Sequence, residues 1–154
     1  AGTNALFSEG DVDFALTDST LLRSDGLHAA VSSIQQAHLT GGRSQNQFTL
    51  TGWSGEAWLD GGFVDPGVVA DLDSVAVQRD ANFTLTNVLL TIAPVAGAAG
   101  PFHLASIEAA RLTGGGSTNT LNASGFSGAV TLDGGAGTNT LTGGTGENVF
   151  IVNA

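Results

Sequence analysis

The sequence predicts an all-β protein: a single parallel β-solenoid, or β-roll, built from internal repeats over residues 1–154. Three observations predict it. Glycine contributes 23 of the 154 residues and proline only 3, which without a collagen period indicates many tight turns with positive φ. Long stretches of the chain repeat. Short segments that alternate apolar and polar residues, as strands do, lie between the glycine-rich turns.

The longest repeat is a gap-free match at an offset of 73 residues. Residues 37–62, AHLTGGRSQNQFTLTGWSGEAWLDGG, match residues 110–135, ARLTGGGSTNTLNASGFSGAVTLDGG, at 14 of 26 positions. The match divides the chain into two internal units, approximately 10–62 and 80–135, followed by a glycine-rich tail, 134–152.

A shorter offset lies upstream of this match. FALT at residues 14–17 resembles FTLT at 83–86 at an offset of 69, so we expect a four-residue insertion in the second unit, most simply within 96–100. Residues 27–39 are the best candidate for a short helix, and an irregular coil is the open alternative. Alternation predicts strands at Phe14/Leu16, Phe48/Leu50, Val75/Val77, Phe83/Leu85 and Val130/Leu132.

The tail contains two consecutive nonapeptides. Residues 134–142, GGAGTNTLT, and 143–151, GGTGENVFI, share the form G-G-x-G-x-N-x-U-x, in which U is apolar. We expect the glycine-rich half of each to turn and the other half to form a short strand, with neighbouring coils stacked about 4.8 Å apart. The residues expected to point inward along one stack are Leu121, Leu132, Leu141 and Phe150.

Residues 134–151 resemble the haemolysin-type calcium-binding repeats of repeats-in-toxin proteins, whose pattern is G-G-x-G-x-D-x-U-x. The wider unit is similar to repeats of very large bacterial surface and secreted proteins. The resemblance implies a parallel β-roll in which backbone carbonyls and the Asp carboxylate hold calcium between successive turns. It assigns the calcium turns to Gly134, Gly135, Gly137, Asn139, Gly143, Gly144, Gly146 and Asn148.

This sequence departs from the family pattern at the residue that binds calcium. Asn139 and Asn148 replace the Asp, as do Asn46 and Asn119 in looser copies of the motif. Asparagine keeps a carbonyl oxygen but lacks the charge that favours a hard cation. Two interpretations stay open: asparagine ladders that satisfy the turns, with no cofactor required, or weak calcium sites.

The charge balance excludes several partners. Fourteen carboxylates and four arginines give a formal charge of −10, so nucleic acid and anionic membrane surfaces are disfavoured. No apolar run is long enough to span a membrane. Cys and Met are absent, which fits a secreted, extracellular or cell-surface location. The sequence starts at Ala1 without an initiator Met, so we expect a removed leader or an excerpt of a longer protein.

Other candidate sites are weak. The histidines, His28, His38 and His103, show no spacing typical of catalysis, so the chain is not expected to be an enzyme. The D-x-D pairs Asp11/Asp13 and Asp71/Asp73 suggest a cation clamp or, as we favour, a solvated strand face. Asp60 and Asp133 are expected to end strands and cap glycine turns. Trp53, aligned with Phe126, is expected to have a core or stacking role, and Trp58 to be a surface contact. Asn82 and Asn122 begin N-glycosylation sequons.

The favoured function is a structural repeat module of an extracellular surface, adhesin or filament-forming protein, which stacks head-to-tail or continues in a tandem array. The alternative is a calcium-binding β-roll domain of a secreted toxin or exoenzyme. A third hypothesis, an enzyme on a β-helix such as a polysaccharide lyase, requires clustered acids and bases in a groove, and the sequence shows no such cluster. Threonine and asparagine on the turns also suggest ice binding, which the short, irregular array disfavours.

Overall fold

The computed structural model describes residues 2–63 and 71–153. All regular secondary structure within these residues is β-strand, so the all-β prediction is confirmed. The same residues contain no helix long and apolar enough to cross a membrane. The strands are β1 (Ala5–Glu9), β2 (Phe14–Leu16), β3 (Thr20–Arg23), β4 (His28–Ala30), β5 (Gln36–Thr40), β6 (Gln47–Thr49), β7 (Glu56–Asp60), β8 (Ser74–Gln78), β9 (Ala81–Thr86), β10 (Leu89–Pro94), β11 (Phe102–Ala105), β12 (Ala109–Thr113), β13 (Thr120–Gly125), β14 (Ala129–Asp133), β15 (Thr140–Thr142) and β16 (Asn148–Ile151).

Within the described residues, the strands form two mixed sheets of eight strands each. Sheet A has the order β1-β5-β7-β11-β10-β9-β13-β15. Sheet B has the order β16-β14-β12-β8-β6-β2-β3-β4. Consecutive strands often change sheet, so that β5, β6, β7 and β8 alternate between A and B.

Most neighbouring strands run parallel, and some of these pairs are separated by a similar step of about 20 residues along the chain. In sheet A, Ala37 of β5 lies opposite Ala57 of β7. In sheet B, Val130 of β14 lies opposite Ala110 of β12 on one side and Asn148 of β16 on the other. Each of these steps is about 20 residues, close to twice the nonapeptide length seen in the sequence.

Two stretches depart from the expected parallel arrangement. β2, β3 and β4 form an antiparallel meander in sheet B, and β9, β10 and β11 form another in sheet A. Threonine hydroxyls close the first turn of each: Thr17 Oγ1 accepts from the Thr20 amide at 3.0 Å, and Thr86 Oγ1 from the Leu89 amide at 3.1 Å. Residues 27–39, the helix candidate, instead contain β4 and most of β5.

The two meanders occupy equivalent places in the two halves of the chain. β1, β5 and β7 are neighbours in sheet A, and their counterparts β8, β12 and β14 are neighbours in sheet B, so the sheets exchange roles between halves. Ser33 and Ser106, at corresponding positions, have φ of 56° and 51°. Residues 96–100, where the insertion is expected, lie between β10 and β11.

Buried side chains from both sheets form one hydrophobic cluster. Trp53 and Phe126, at matching positions of the repeat, are both fully buried, as predicted. The predicted strand alternations supply buried side chains to this cluster at Phe14, Leu16, Phe48, Leu50, Val75, Val77, Phe83, Leu85, Val130 and Leu132.

The expected inward row is buried only in part. Leu121 and Leu132 are fully buried, Leu141 is half-buried, and Phe150 is 49% exposed. The prediction of a buried Phe150 is therefore wrong. Phe150 lies opposite Leu132 and so continues the core row, but β16 is the last strand of sheet B and nothing in the described residues stacks beyond it.

Candidate functional site: the polar turns

The calcium turns assigned by the resemblance lie in the connections between β14, β15 and β16. Asn148 closes the second of these turns with both ends of its amide. Its Oδ1 accepts a hydrogen bond from the Gly144 amide at 2.7 Å. Its Nδ2 donates to the carbonyls of Gly144 and Gly146 at 3.1 and 2.8 Å. Gly143 lies directly against the Asn148 side chain, where a Cβ would collide with the amide.

Asn139 closes the preceding turn and links it to the turn that contains Asn119. Its Nδ2 donates to the carbonyls of Ala136 and Gly137 at 3.0 and 3.4 Å, and its Oδ1 accepts from the Asn119 amide at 2.8 Å. Gly135 and Gly137 have φ of 72° and 86°, in the left-handed region that glycine adopts without strain. Gly134 packs against the Asn139 side chain.

The amide nitrogens of Asn139 and Asn148 therefore engage turn carbonyls, the kind of ligand that the resemblance assigns to calcium. A cation bound by the same carbonyls would have to displace these NH2 donors. The hydrogen bonding favours the interpretation of these asparagines as structural closures of the turns, because every donor and acceptor already has a partner.

Asn119 shows how the pattern extends into the interior coils. It is buried, its Oδ1 accepts from the Gly115 amide at 2.8 Å, and its Nδ2 donates to Asp80 Oδ1 at 3.0 Å. Asp80 also accepts from the amide and the hydroxyl of Ser117 at 3.2 and 2.8 Å. The carboxylate thus gathers three donors from one turn.

Asp11 makes the same contacts in the first half of the chain. It accepts from the amide and hydroxyl of Ser44 at 2.9 and 2.6 Å and from Asn46 Nδ2 at 3.4 Å. The hydrogen bond from the Ser44 hydroxyl lowers the pKa of Asp11, and that from the Ser117 hydroxyl lowers the pKa of Asp80. Both carboxylates are therefore ionised closures of turns.

At another pair of equivalent positions, Asp and Asn make identical contacts. Asp18 Oδ1 accepts from the amide and hydroxyl of Ser54 at 2.7 and 3.0 Å. Asn87 Oδ1 accepts from the amide and hydroxyl of Ser127 at 2.8 and 3.1 Å. Only acceptor oxygens are needed here, so the charge of Asp18 is not required for the contacts.

Asp60 and Asp133 lie where the sequence places them. Each is the last residue of its strand, β7 and β14. Their Oδ1 atoms accept hydrogen bonds at 3.0 Å from the amides of Gly62 and Gly135, two residues further on. The prediction that they end strands and cap glycine turns is confirmed.

Asp71 and Asp73 differ from every other carboxylate described above. Asp71 is 6% exposed and Asp73 1% exposed, whereas Asp11 and Asp13 are exposed. Both oxygens of Asp71 and Oδ2 of Asp73 are buried and have no hydrogen-bond partner. The prediction of a solvated strand face is therefore wrong for this second D-x-D pair.

The surroundings of Asp73 are polar but poor in donors. Oδ1 accepts from the buried Asn46 amide at 2.7 Å, and the Asp73 amide donates to Glu108 Oε2 at 3.0 Å. Oδ2 and the Ser106 carbonyl both lie against the Cα of Gly61, where a side chain would collide with both oxygens. One unpartnered carboxylate oxygen therefore lies in an oxygen-rich, water-excluded space.

This environment shifts the protonation of Asp73. The pKa of Asp73 is raised from 3.8 to about 7, chiefly by burial. The hydrogen bond from the Asn46 amide opposes this shift, and the negative charges of Asp71, Glu108 and Asp11 add to it. A carboxyl group in this position requires a positive charge or a proton near it.

A stripe of aromatic rings crosses the outer face of sheet A. Phe7, His38, Trp58 and His103 occupy directly opposed positions on β1, β5, β7 and β11. Successive ring centroids lie 4.5, 4.5 and 4.7 Å apart with interplanar angles of 7°, 7° and 13°. Trp58 thus lies on the outer face, as expected, and its ring faces contact two imidazoles.

Polar groups border this stripe. His103 Nε2 lies 2.8 Å from Glu56 Oε1, and Gln36 Nε2 donates to Glu56 Oε2 at 3.2 Å. The pKa of Glu56 is lowered, chiefly by the hydrogen bond with His103. A groove of about 320 Å³ is lined by His38, Trp58 and His103 together with Thr40 and Asp60.

Within residues 2–63 and 71–153, no three His, Cys, Asp or Glu side chains converge as a metal-binding group. His38 and His103 lie on opposite sides of the Trp58 ring, while His28 is in β4 of the other sheet. The structure therefore does not bring the three histidines together.

Comparisons with known proteins give no further assignment, since no family model, no curated protein and no solved structure matches this chain.

Sequence reasoning missed the burial of Asp71 and Asp73, although a signal was present. In the segment D-L-D-S-V-A-V the two aspartates have the same parity as Val75 and Val77, and side chains two residues apart share one face of an extended chain. The aromatic stripe was also missed, because its four rings come from strands far apart in sequence.

Proposed function

We propose that this chain is a structural repeat module, a β-solenoid that stacks head-to-tail in an extracellular surface, adhesin or filament-forming protein. The observation that carries the proposal is the polarity of the edge strands at the two ends of the sheets. One end presents β1 and β4, and the other presents β15 and β16.

In sheet A, β1 and β15 point in the same direction. Parallel pairs connect β1 to β11 and β9 to β15, and the two antiparallel pairs of the meander restore the direction between them. By the same reasoning, β4 and β16 point in the same direction in sheet B.

Because each sheet has eight strands, a simple translation extends both sheets together. Moving a copy by eight strand spacings, about 38 Å, brings its β1 beside β15 and its β4 beside β16 with parallel polarity. Unpaired edge groups then find partners in both sheets at once. A translation of this kind does not close on itself, so the product is an open stack.

The end formed by β15 and β16 carries apolar surface that such a contact covers. Leu141 is half-buried and Phe150 is 49% exposed, and both line a cavity of about 360 Å³ open at this end. They continue the core row of Leu121 and Leu132 by register. The next unit, in the same protein or in a second copy, would bury them.

Assembly of the isolated chain tests the proposal. We expect concentration-dependent growth in light scattering and linear particles in electron micrographs. Phe150→Lys should reduce assembly, because it places a charge in the apolar contact. Val88→Lys, which changes an exposed valine on the turn between β9 and β10, is the matched control and should leave assembly unchanged.

A covalent fusion of two copies gives a second readout. The fused protein should unfold at a higher temperature than the single copy, since the junction buries the end row and pairs both edges. A single copy that stays monomeric at high concentration, together with a fusion no more stable than one copy, would contradict the proposal.

A further inference from the structure

The outer face of sheet A differs from the equivalent face in the other half of the chain. Four outward positions of β5 and β7 have different residues at the offset of 73: Gln36 and Ala109, His38 and Arg111, Glu56 and Ala129, and Trp58 and Thr131. The buried residues next to them are the same in both halves, since Leu39 and Leu59 correspond to Leu112 and Leu132. The same pair of strands therefore forms without rings at these positions, so the aromatic stripe is not a requirement of the fold.

The rings of the stripe present their edges, not their faces, to the groove beside them. His38 and His103 cover the two faces of Trp58, and Phe7 and Trp58 cover those of His38. The edge of an aromatic ring is the positive side of its quadrupole, so it attracts electronegative atoms. Within the described residues, Trp58 Nε1 and the ring nitrogens of His38 form no hydrogen bond. The row therefore favours a ligand rich in oxygen.

We propose that this groove binds a neutral polysaccharide, a function beyond the structural role proposed above. We call it the ring-edge groove. It has a volume of about 320 Å³ and is lined by His38, Trp58, His103, Thr40 and Asp60.

The polar groups of the ring-edge groove suit hydroxyl groups, which both donate and accept hydrogen bonds. The Thr40 hydroxyl does both, and the Asp60 carboxylate accepts. Glu56 Oε1 lies 2.8 Å from His103 Nε2 and so orients the imidazole at one end of the row. Leu39 also lines the groove. Sites for small ligands combine apolar lining with a few placed polar groups in this way.

The charge of this face limits which polysaccharides it accepts. The carboxylates of Glu56 and Asp60 lie beside the rings, and the chain has a formal charge of −10, so an acidic chain is repelled. A basic peptide would suit the carboxylates, but cations bind ring faces, and the neighbouring rings cover those of Trp58 and His38. The groove therefore selects a ligand that is rich in oxygen and uncharged.

The test is affinity electrophoresis of the full chain at neutral pH in gels that contain hydroxyethylcellulose, galactomannan or dextran. Polygalacturonate is the acidic comparison. At least one neutral polymer should retard the wild type, and polygalacturonate should not. Trp58→Thr, which installs the residue type of Thr131, should weaken the binding about tenfold or more, because a central tryptophan carries much of the binding energy of a site.

Thr131→Ala is the matched control on the equivalent row of sheet B, and it should leave the retardation unchanged. Fluorescence gives an independent readout. Trp53, the other tryptophan of the chain, is fully buried, so a shift of the emission on addition of the neutral polymer reports on Trp58.

If Trp58→Thr does not fold, Glu56→Ala, which installs the residue type of Ala129, decides by the same criteria. Three results would overturn the proposal: no retardation by any of the neutral polymers, stronger binding of polygalacturonate or of a lysine-rich peptide, or equal retardation of the wild type and the folded variant. Phe150→Lys should bind the polymer as the wild type does, so the result does not depend on whether the chain assembles.

Discussion

Asn148 and Asp73 each stand two residues before an apolar strand residue, Phe150 and Val75, yet they satisfy their polar atoms in opposite ways. Asn148 donates and accepts within its own turn, with all contacts between 2.7 and 3.1 Å. Asp73 accepts one amide through Oδ1 and leaves Oδ2 buried without a partner. One turn is complete by itself, and the other requires a cation or a proton.

The difference comes from one group of atoms. Replacing the side-chain NH2 by a second oxygen removes two donors and adds a charge. In the exposed setting of Asp11, hydroxyl and amide donors from Ser44 satisfy that charge. In the buried setting of Asp73, no equivalent serine donor is present among its described contacts. Burial therefore decides whether an aspartate in these turns is a simple closure or a site that needs a ligand.

The largest change in the free energy of unfolding should come from a substitution in the hydrophobic core beneath both kinds of turn. Leu132→Ala removes a fully buried side chain and should lower the free energy of unfolding by ~2–5 kcal/mol. Thr138→Ala, on the exposed surface of the Asn139 turn, should change it by less than ~0.5 kcal/mol. Urea unfolding measures both, and equal effects would show that the assignment of inside and outside is wrong.

The comparison between asparagine and aspartate turns can also be tested in the opposite direction, by placing a carboxylate in a turn whose asparagine already has hydrogen-bond partners. Asn119→Asp removes the donor to Asp80 Oδ1, now 3.0 Å away, and puts two negative charges in contact. We expect a loss of ~1–3 kcal/mol at neutral pH, measured by urea unfolding. Asn87→Asp is the control and should have little effect, because Asp18 makes the same contacts at the equivalent position. A cost at Asn87 equal to that at Asn119 would contradict the distinction.

The dependence of stability on pH sharpens the comparison in the absence of metal. The pKa of Asp73 is about 7 in the folded chain and 3.8 ordinarily, so the folded state binds more protons between these values. Stability in chelator should therefore rise as pH falls from about 8 to 5. The carboxylates that act on Asp73 are Asp71, Glu108 and Asp11.

Melting temperatures across this pH range, compared between wild type and Asp73→Asn, isolate the effect of this one group. All other ionisable groups are common to both proteins, so their contribution cancels in the difference. The difference should narrow toward pH 5, where Asp73 is protonated. A difference that is constant with pH would mean that Asp73 does not titrate in this range.

The smallest effect should come from Asp18→Asn. Its contacts with Ser54 need only an acceptor oxygen, and the amide supplies one. We expect a change within about 0.5 kcal/mol in the free energy of unfolding, with or without calcium. A larger loss would show that the charge of Asp18 matters beyond these contacts.

The strands were predictable where the pattern was local. Phe14/Leu16 and Val130/Leu132 alternate clearly and are buried as expected. The meanders were not predicted, although Asp25-Gly26, a typical hairpin signal, lies between β3 and β4. Phe150 matches the inward pattern but is exposed because burial depends on what stacks beyond β16, which the pattern of a single coil does not contain.

The candidate sites were predictable only where the residue type determines the contact. Asp60 and Asp133 cap their turns because an Asp next to a Gly-Gly pair can reach an amide two residues away. The free oxygens of Asp71 and Asp73 depend on which donors the neighbouring coils bring. The hydrogen-bond partners of Asp73 are as distant in sequence as Asn46, whose amide donates to its carboxylate, and Glu108, which accepts from its amide. One sequence does not identify such neighbours.

The meanders also determine how accurately the chain can fold. The parallel strands from β12 to β16 repeat at similar steps of about 20 residues, so a chain shifted by one such step would keep much of its parallel pairing. β3 and β10 have no counterpart in the simple coils, and a shifted chain would leave them without their native neighbours. Their hairpins, such as Leu85 opposite Leu90, join residues close in sequence and so can form before the long-range parallel pairs. The two meanders thus fix the strand register in each half of the chain and disfavour shifted strand pairing during folding.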